Sequence, residues 1–268
     1  MSDRDAFLAA IRDNPDDDLP RLIYADWLEE HGEPARAEFI RLQCAAARGE
    51  PSALSAAAVH RMVVLESAHR ADWLGPAGGD VFRAEFRRGF VEHAVLPAAL
   101  FLRVGAELRR RHPLRGVALL GARLALAELL DGPHLRGLAA LHLTGGRLGD
   151  DGVRRLAAAP ALAGLRVLRL GRNDLGDAAA AALAHSRPLA SLTALALDDN
   201  AIGDAGAQEL ARSLHLARLT TLSLVANEIG PAGVAALRAS PRLAGLTRLD
   251  VADQRVPSGR WLLLPAAK

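Results

Sequence analysis

The chain lacks the features that mark a secreted or membrane-spanning protein. Cys44 is its only cysteine, so no internal disulfide can form, and this is typical of a reducing compartment. No apolar run is long enough for a membrane-spanning helix. The N-terminal residues MSDRDAFLAA contain acidic side chains and no apolar core, unlike a secretory signal peptide. These absences predict a cytoplasmic protein.

Aromatic residues and lysines are also scarce. Aromatics make up 4% of the chain and Lys268 is the only lysine, whereas half of all residues are apolar. Aliphatic side chains must therefore fill the core, and the abundance of Leu and Ala favours thin, repeated packing. The net charge is +2 and the longest arginine run is Arg109–Arg111. Nucleic-acid-binding domains usually carry a dense basic stripe, so we expect no nucleic-acid partner.

Motifs for catalysis, cofactors and metals are missing as well. The chain has no Walker A, G-x-S-x-G or H-E-x-x-H motif, and its nine histidines show no metal-ligand spacing. Asp16-Asp17-Asp18 could bind a divalent cation, but capping of the next helix explains the run better. Cys44 has no obvious His partner, which favours a structural thiol. The sequence predicts no metal, no cofactor and no enzymatic activity.

A 27-residue repeat dominates the rest of the chain. From each start the template L-x-x-L-x-L-x-x-N recurs, with Asn173, Asn200 and Asn227 in the last column, Gly146 in the first unit and Gln254 in the fifth. An I/L-G-D/P segment and an Ala-rich stretch with leucines at helical spacing follow. The five starts are Leu138, Leu165, Leu192, Leu219 and Leu246.

This pattern predicts a stacked array of strands and helices. The L-x-L alternation has period two, which places its leucines on one side of a short strand. One unit cannot bury its apolar face alone, so neighbouring units must stack. The Asn column is expected to form a ladder that satisfies backbone groups of adjacent turns. Aspartates such as Asp177 and Asp204 are expected to cap the helix that follows them.

The motif L-x-x-L-x-L-x-x-N-x-I/L-G-D-x-G at 192–206 resembles leucine-rich repeats of the ribonuclease-inhibitor and RanGAP type. The clear match covers about residues 138–256. The resemblance implies an α/β solenoid: a right-handed arc with parallel strands on the concave face and helices outside. Strands near 90–96 and 114–119, spaced by 24 residues, are interpreted as degenerate first repeats. An apolar cap is expected over Trp261, Leu262, Leu263 and Leu264.

The N-terminal residues predict a small helical domain. A capping box at Ser2 and Asp5 opens a helix to about residue 13, and further helices are expected over about 19–31 and 34–48. Residues 4–45 resemble the repeat-companion domain of planctomycete and related bacteria, which implies an architecture and no known chemistry. We expect this domain over 1–50, a linker and cap over 51–89 and the repeats over 90–268. The predicted shared core is Phe7, Leu8, Ile11, Leu22, Ile23, Trp27, Leu28, Phe39, Ile40 and Leu42.

The concave face is the expected site of function, because residues that alternate with core leucines point outward there. The set is mostly small with scattered charges, which suits a protein surface better than a small substrate. We therefore predict a protein–protein interaction module. The candidate contact residues are His142, Arg169, Arg172, Asp198, Ser223, Arg248 and Asp250.

Three alternatives remain open from the sequence. The array could regulate an enzyme, as an inhibitor or a GTPase activator, which rests on resemblance alone. The N-terminal domain could instead be a small enzyme with a pocket around Tyr24, Asp26 and His31. An ion pair between Asp26 and Arg36 or Arg41 would give that cluster a structural role. The chain could finally be a structural spacer without a fixed ligand.

Overall fold

A computed structural model describes residues 2–75, 81, 83–255 and 261–262. The chain folds as two compact units. The first comprises residues 1–96 and 103–115, and the second comprises residues 97–102 and 116–268.

The first unit contains the predicted helices and an antiparallel hairpin. Ser2 and Asp5 form the predicted capping box, and Pro20 and Pro34 lie in the first turns of their helices. The elements are α1 (Asp3–Asp13), α2 (Leu19–Glu30), α3 (Pro34–Ala47), α4 (Ala56–Leu74), β1 (Arg83–Arg87) and β2 (Phe90–Pro97). Helix α5 (Ala98–Arg111) follows and contributes residues to both units.

Helices α1 to α3 and strand β2 share an apolar core that includes Leu8, Leu28, Ile40 and Phe90. The prediction that Ile23 belongs to this core is wrong, because its side chain is 47% exposed. Helix α2 buries the face formed by Arg21, Tyr24, Ala25 and Leu28, and Ile23 lies on the opposite side. Two adjacent apolar residues at 22 and 23 left this choice open in the sequence.

The second unit repeats one short strand and one helix. Its elements are β3 (Gly116–Leu120), α6 (Ala122–Asp131), β4 (Ala140–His142), α7 (Gly149–Ala158), β5 (Val167–Arg169), α8 (Asp177–Ala184), β6 (Ala194–Ala196), α9 (Asp204–Arg212), β7 (Thr221–Ser223), α10 (Pro231–Arg238) and β8 (Arg248–Asp250). Strands β3 to β8 lie in chain order, each parallel to the next. Helices alternating with parallel strands are an α/β arrangement, as predicted.

The pairing register preserves the sequence period. Leu141, Leu168, Leu195, Leu222 and Leu249 align across β4 to β8, one per strand at an interval of 27 residues. Val117 of β3 pairs with Leu141 across the predicted interval of 24. The aligned leucines of β4 to β7 are almost fully buried. A continuous apolar seam therefore supports the strands from one side.

The Asn column forms the predicted ladder. Asn200 is buried, accepts from the backbone N–H groups of Asn173 and Leu175 at 3.0 and 3.2 Å, and donates to three carbonyls. Gln254 replaces Asn in the fifth unit and makes the equivalent bonds, accepting from Ile229 at 3.1 Å. Each amide joins two consecutive repeats, which fixes their relative register.

The expectation that Asp177 and Asp204 cap their own helices is wrong. The N-cap residues of α8 and α9 are Gly176 and Gly203, so neither helix is capped by a side chain of its own repeat at that position. Oδ1 of Asp177 instead accepts from the N–H groups of Gly203 and Gly206 in the next repeat, at 2.7 and 2.9 Å. Asp204 does the same for Gly230 and Gly233. Stacking brings the following helix N-terminus within reach, so each carboxylate caps the next repeat.

The end of the array is only partly described. The backbone of β10 (Trp261–Leu262) pairs antiparallel with β9 (Gln254–Arg255). The predicted cap of Trp261, Leu262, Leu263 and Leu264 falls outside the residues whose side chains the structure describes.

Candidate partner-binding face

The strand register arranges the alternating residues in rows. His142, Arg169, Ala196, Ser223 and Asp250 occupy equivalent positions on β4 to β8. A second row contains Ala140, Val167, Ala194, Thr221 and Arg248. The structure therefore places five of the seven predicted contact residues on the strands, and Arg172 and Asp198 just after β5 and β6.

A groove of about 480 Å³ runs across β5 to β8, and we call it the strand groove. Five of the predicted contact residues line it: Arg169, Arg172, Asp198, Ser223 and Arg248. His142 and Asp250 are not among its lining residues. Gly171, Ala194 and Ala196 form part of the surface between the charged side chains. Small residues there leave the groove open to an incoming chain.

Arginines line the groove, and they differ in their partners. Nε of Arg172 lies 3.1 Å from Oδ2 of Asp199, and Nη2 of Arg248 lies 3.6 Å from Oδ2 of Asp250. The side chain of Arg169 is exposed and makes neither a salt bridge nor a hydrogen bond within the described residues. Arg169 is therefore the lining arginine whose hydrogen-bonding capacity is fully available to a ligand.

Asp198 and Ser223 have a structural role that the sequence did not predict. Oδ1 of Asp198 accepts from the hydroxyl of Ser223 and, at 3.0 Å, from the backbone N–H of Val225. These bonds link β6 to β7, so Asp198 is partly committed to the array itself.

Asp199 lines the groove but was missed by the sequence reasoning. It occupies the turn position before the ladder amide, where Arg172, Asp199, Ala226 and Asp253 all have positive φ values of 54 to 58°. This left-handed turn directs the chain away from the strand in successive repeats. The alternation rule applies to strands and does not extend to such a turn, although the 27-residue spacing of these positions was visible.

The cluster of Tyr24, Asp26 and His31 does not form one pocket. Tyr24 is buried against Phe7 and Trp27, and His31 stacks on the Trp27 ring with centroids 4.0 Å apart. Asp26 pairs with Arg41 at 2.7 Å, as one sequence alternative predicted. These three residues therefore stabilise the helices and do not assemble a reaction centre.

The acidic run and the single thiol also have structural partners. Oδ1 of Asp17 accepts from the N–H of Leu19, the first residue of α2, at 2.9 Å, but Asp18 at the N-cap makes no side-chain capping bond. Asp16 pairs with Arg115 and Asp18 with Arg48, at 2.6 and 3.0 Å. Burial raises the pKa of Cys44 to about 12, so its thiol is protonated at neutral pH and is a poor nucleophile.

No group of three or more His, Cys, Asp or Glu side chains there is arranged to hold a metal ion. No helix in the described part of the chain is long and apolar enough to cross a membrane.

Comparison with protein families matches the array to the Leucine Rich repeat model. The matched segments are residues 165–184, 189–211 and 215–237, which contain β5, α8, β6 and β7 and all but the last residue of α9 and α10. Comparison with curated proteins gives no match.

Proposed function

Because residues 165–237 carry leucine-rich repeats, we propose that this chain is a protein-binding module whose partner docks in the strand groove. Stacked repeats generally present extended binding surfaces to other proteins. The groove extends over four strands and is lined by three arginines and two aspartates, whereas small-molecule sites are mostly apolar. This geometry supports an extended segment of a partner protein as the ligand.

The unpaired side chain of Arg169 is the observation that carries the proposal. It is exposed within the groove, and the described residues offer it no carboxylate or hydrogen-bond acceptor. Arginine is enriched at interface hot spots, because its planar guanidinium forms bidentate bonds with carboxylates. The partner segment therefore presents an acidic side chain to Arg169. Arg172 and Arg248 flank that contact and are already paired with Asp199 and Asp250.

The test is affinity capture by the full chain from the native host, followed by mass spectrometry. We expect Arg169→Glu to reduce recovery of the specific partner by about tenfold or more, since a hot-spot charge reversal costs at least about 1.4 kcal/mol. Thermal stability should change little, because the side chain of Arg169 makes no hydrogen bond or salt bridge within the described residues.

Arg187→Glu is the matched control. Arg187 is also an exposed arginine of the array but does not line the groove. Undiminished recovery of the partner with both variants would argue against docking at Arg169. Loss of the partner with both variants would indicate a general effect of net charge.

The proposal also includes the finer features that we expect from the sequence. They are the ribonuclease-inhibitor or RanGAP type of repeat, an arc with a concave strand face, the repeat-companion domain, a cytoplasmic location, and the absence of nucleic-acid, membrane or cofactor partners. A regulatory role would be tested on the captured protein: addition of the chain would change its enzymatic turnover or GTP hydrolysis.

A further inference from the structure

The first unit contains two buried arginines, and their surroundings differ. The guanidinium of Arg21 donates to the carbonyls of Pro15 and Asp17 at 2.7 Å, and Glu92 lies 3.7 Å away. Arg36 is only 7% exposed, and within the described residues its side chain makes no salt bridge or hydrogen bond. Its Nη1 is buried without an acceptor. Nε of Arg21 is also buried without an acceptor, but its two Nη atoms are bonded within the fold, whereas the Arg36 side chain makes no hydrogen bond within the described residues.

Aromatic rings surround the Arg36 guanidinium. Its carbon lies 4.3 Å from the ring centroid of Trp73 and 5.2 Å from that of Phe90, with Phe86 and Phe39 at 5.6 and 5.9 Å. Cation–π contacts offset part of the cost of burying a charge, but they supply no acceptor for the guanidinium N–H groups. Burial lowers the pKa of Arg36 to about 9, so the side chain is still charged at neutral pH.

Arg36 lines a cavity of about 500 Å³ in the first unit, which we call the Arg36 cavity. This volume lies within the range of small-molecule sites. Tyr24, Trp73 and Phe90 also line it and provide apolar surface beside the guanidinium. A buried cation, aromatic walls and sufficient room for a ligand therefore occur in one place.

The N-terminus of α3 opens on the same cavity. Pro34, Ala35 and Arg36 line the cavity, and Glu33 at the N-cap makes no side-chain capping bond. The first N–H groups of a helix have no intrahelical partner, and the helix dipole favours negative charge there. Since α3 has 14 residues and Arg36 lies in its first turn, helix and side chain both favour an anion in this cavity.

The other charges limit the anion to a single negative charge. Arg4 pairs with Glu33, Arg110 pairs with Asp5 at 2.9 Å, and Arg111 pairs with Glu107. Arg36 is therefore the lining arginine without a carboxylate partner among the described residues. Asp72 adds a further negative charge to the lining, which disfavours a dianion such as a phosphate ester.

We propose that the Arg36 cavity binds a small organic monocarboxylate, with the carboxylate on Arg36 and the apolar body between the aromatic walls. A planar carboxylate accepts two parallel N–H bonds from a guanidinium, and the uncapped α3 N-terminus adds to the attraction. This site lies in the first unit and is independent of partner docking on the repeats.

The test uses the full chain and two probes of nearly equal shape, sodium benzoate and neutral benzamide. Isothermal titration calorimetry at constant ionic strength should show benzoate binding at least about tenfold more tightly, because charge-assisted bonds are stronger than neutral ones. Heteronuclear NMR should place the benzoate-induced shifts on Trp73 and Arg36. Sodium phosphate should bind more weakly than benzoate.

Arg36→Gln should abolish the preference for benzoate, and Arg36→Lys should weaken it because a single ammonium cannot form the bidentate pair. Arg61→Gln is the matched control, since Arg61 is exposed and does not line the cavity. The comparison of probes on the unaltered chain remains decisive if the Arg36 variants do not fold. Equal affinity for benzoate and benzamide, no binding of benzoate, or tighter binding of phosphate would each overturn the proposal.

Discussion

Burial determines the charge of His112. The ring is 2% exposed, its Nδ1 accepts from the N–H of Val91 at 3.3 Å, and its Nε2 lies 3.2 Å from the carbonyl oxygen of Trp73. This pattern fits the neutral tautomer with hydrogen on Nε2. Desolvation, assisted by the nearby charge of Arg36, lowers the pKa of His112 to about 3. The folded protein therefore holds His112 neutral where an unfolded chain would protonate it.

This lowered pKa predicts a loss of stability in acid. Below pH 6.5, the ordinary pKa of the ring, the unfolded state binds a proton on His112 that the folded state does not. The contribution of neutral His112 to the free energy of unfolding is therefore complete above pH 6.5 and falls as the pH decreases toward 3. The expected slope from this one group is about 1.4 kcal/mol per pH unit. Urea unfolding between pH 7.5 and 4.5 would measure it.

His112→Gln provides the comparison, because it removes the titration and retains an amide that can donate to the Trp73 carbonyl. Other titrating groups are common to both proteins, so we expect the stability advantage of the unaltered chain to shrink as the pH falls. A difference in unfolding free energy that stays constant between pH 6.5 and 4.5 would show that His112 protonates freely in the folded state.

Residues whose partners are distant in sequence were the ones that sequence reasoning missed. The ladder amides were predicted because their column recurs, and even Gln254 was visible as its exception. Arg36 gave no such signal, since its environment depends on Trp73, Phe86 and Phe90, more than 30 positions away. Spacing predicts which residues share a face, but it does not identify an unpaired buried charge.

At the scale of elements, consecutive helices are held together by a contact that requires glycine. A Cβ on Gly206 would lie 2.6 Å from Oδ1 of Asp177 and 2.9 Å from Cγ2 of Ile202. The absence of a side chain lets the N-terminus of α9 approach the carboxylate of the preceding repeat. Gly233 and Asp204 have the same arrangement one repeat later. The glycine and the aspartate thus form one capping device between repeats.

We therefore expect Gly206→Ala to destabilise the protein by about 1–3 kcal/mol, since overpacking outweighs the gain in helix propensity. Chemical unfolding would measure the change. Gly245→Ala is the control, because its added Cβ would meet nothing closer than 3.6 Å. Equal stability of the two variants would mean that the Asp177 contact adjusts without cost.

The elements themselves were largely predictable from the sequence, but their cross-repeat contacts were less so. The period of 27 specified strands, helices and register, because a fixed repeat must place equivalent leucines in one seam. The aspartates at 177 and 204 were assigned to the wrong helices, since capping rules describe neighbours along the chain. Stacking provided a competing helix end that no local rule includes.

For the molecule as a whole, the ladder implies that coupling in the array is short-ranged. Asn200 and Asn227 lie in adjacent repeats and both donate to the carbonyl oxygen of Leu197, at 2.8 and 2.9 Å. Asn173 and Gln254 lie at opposite ends of the ladder and have no hydrogen-bond partner in common. Repeats that contact only their neighbours should follow nearest-neighbour energetics.

Double-mutant cycles should distinguish adjacent ladder residues, which we expect to be coupled, from distant ones, which we expect to be independent. Asn200→Ala or Asn227→Ala alone leaves the Leu197 carbonyl with one donor, whereas the double variant leaves that buried group with neither ladder amide. We expect the double variant to lose about 0.5–2 kcal/mol more than the sum of the single losses. Asn173→Ala and Gln254→Ala should be additive within about 0.5 kcal/mol. Additivity of the adjacent pair in urea unfolding would show that each ladder amide stabilises its own repeat independently.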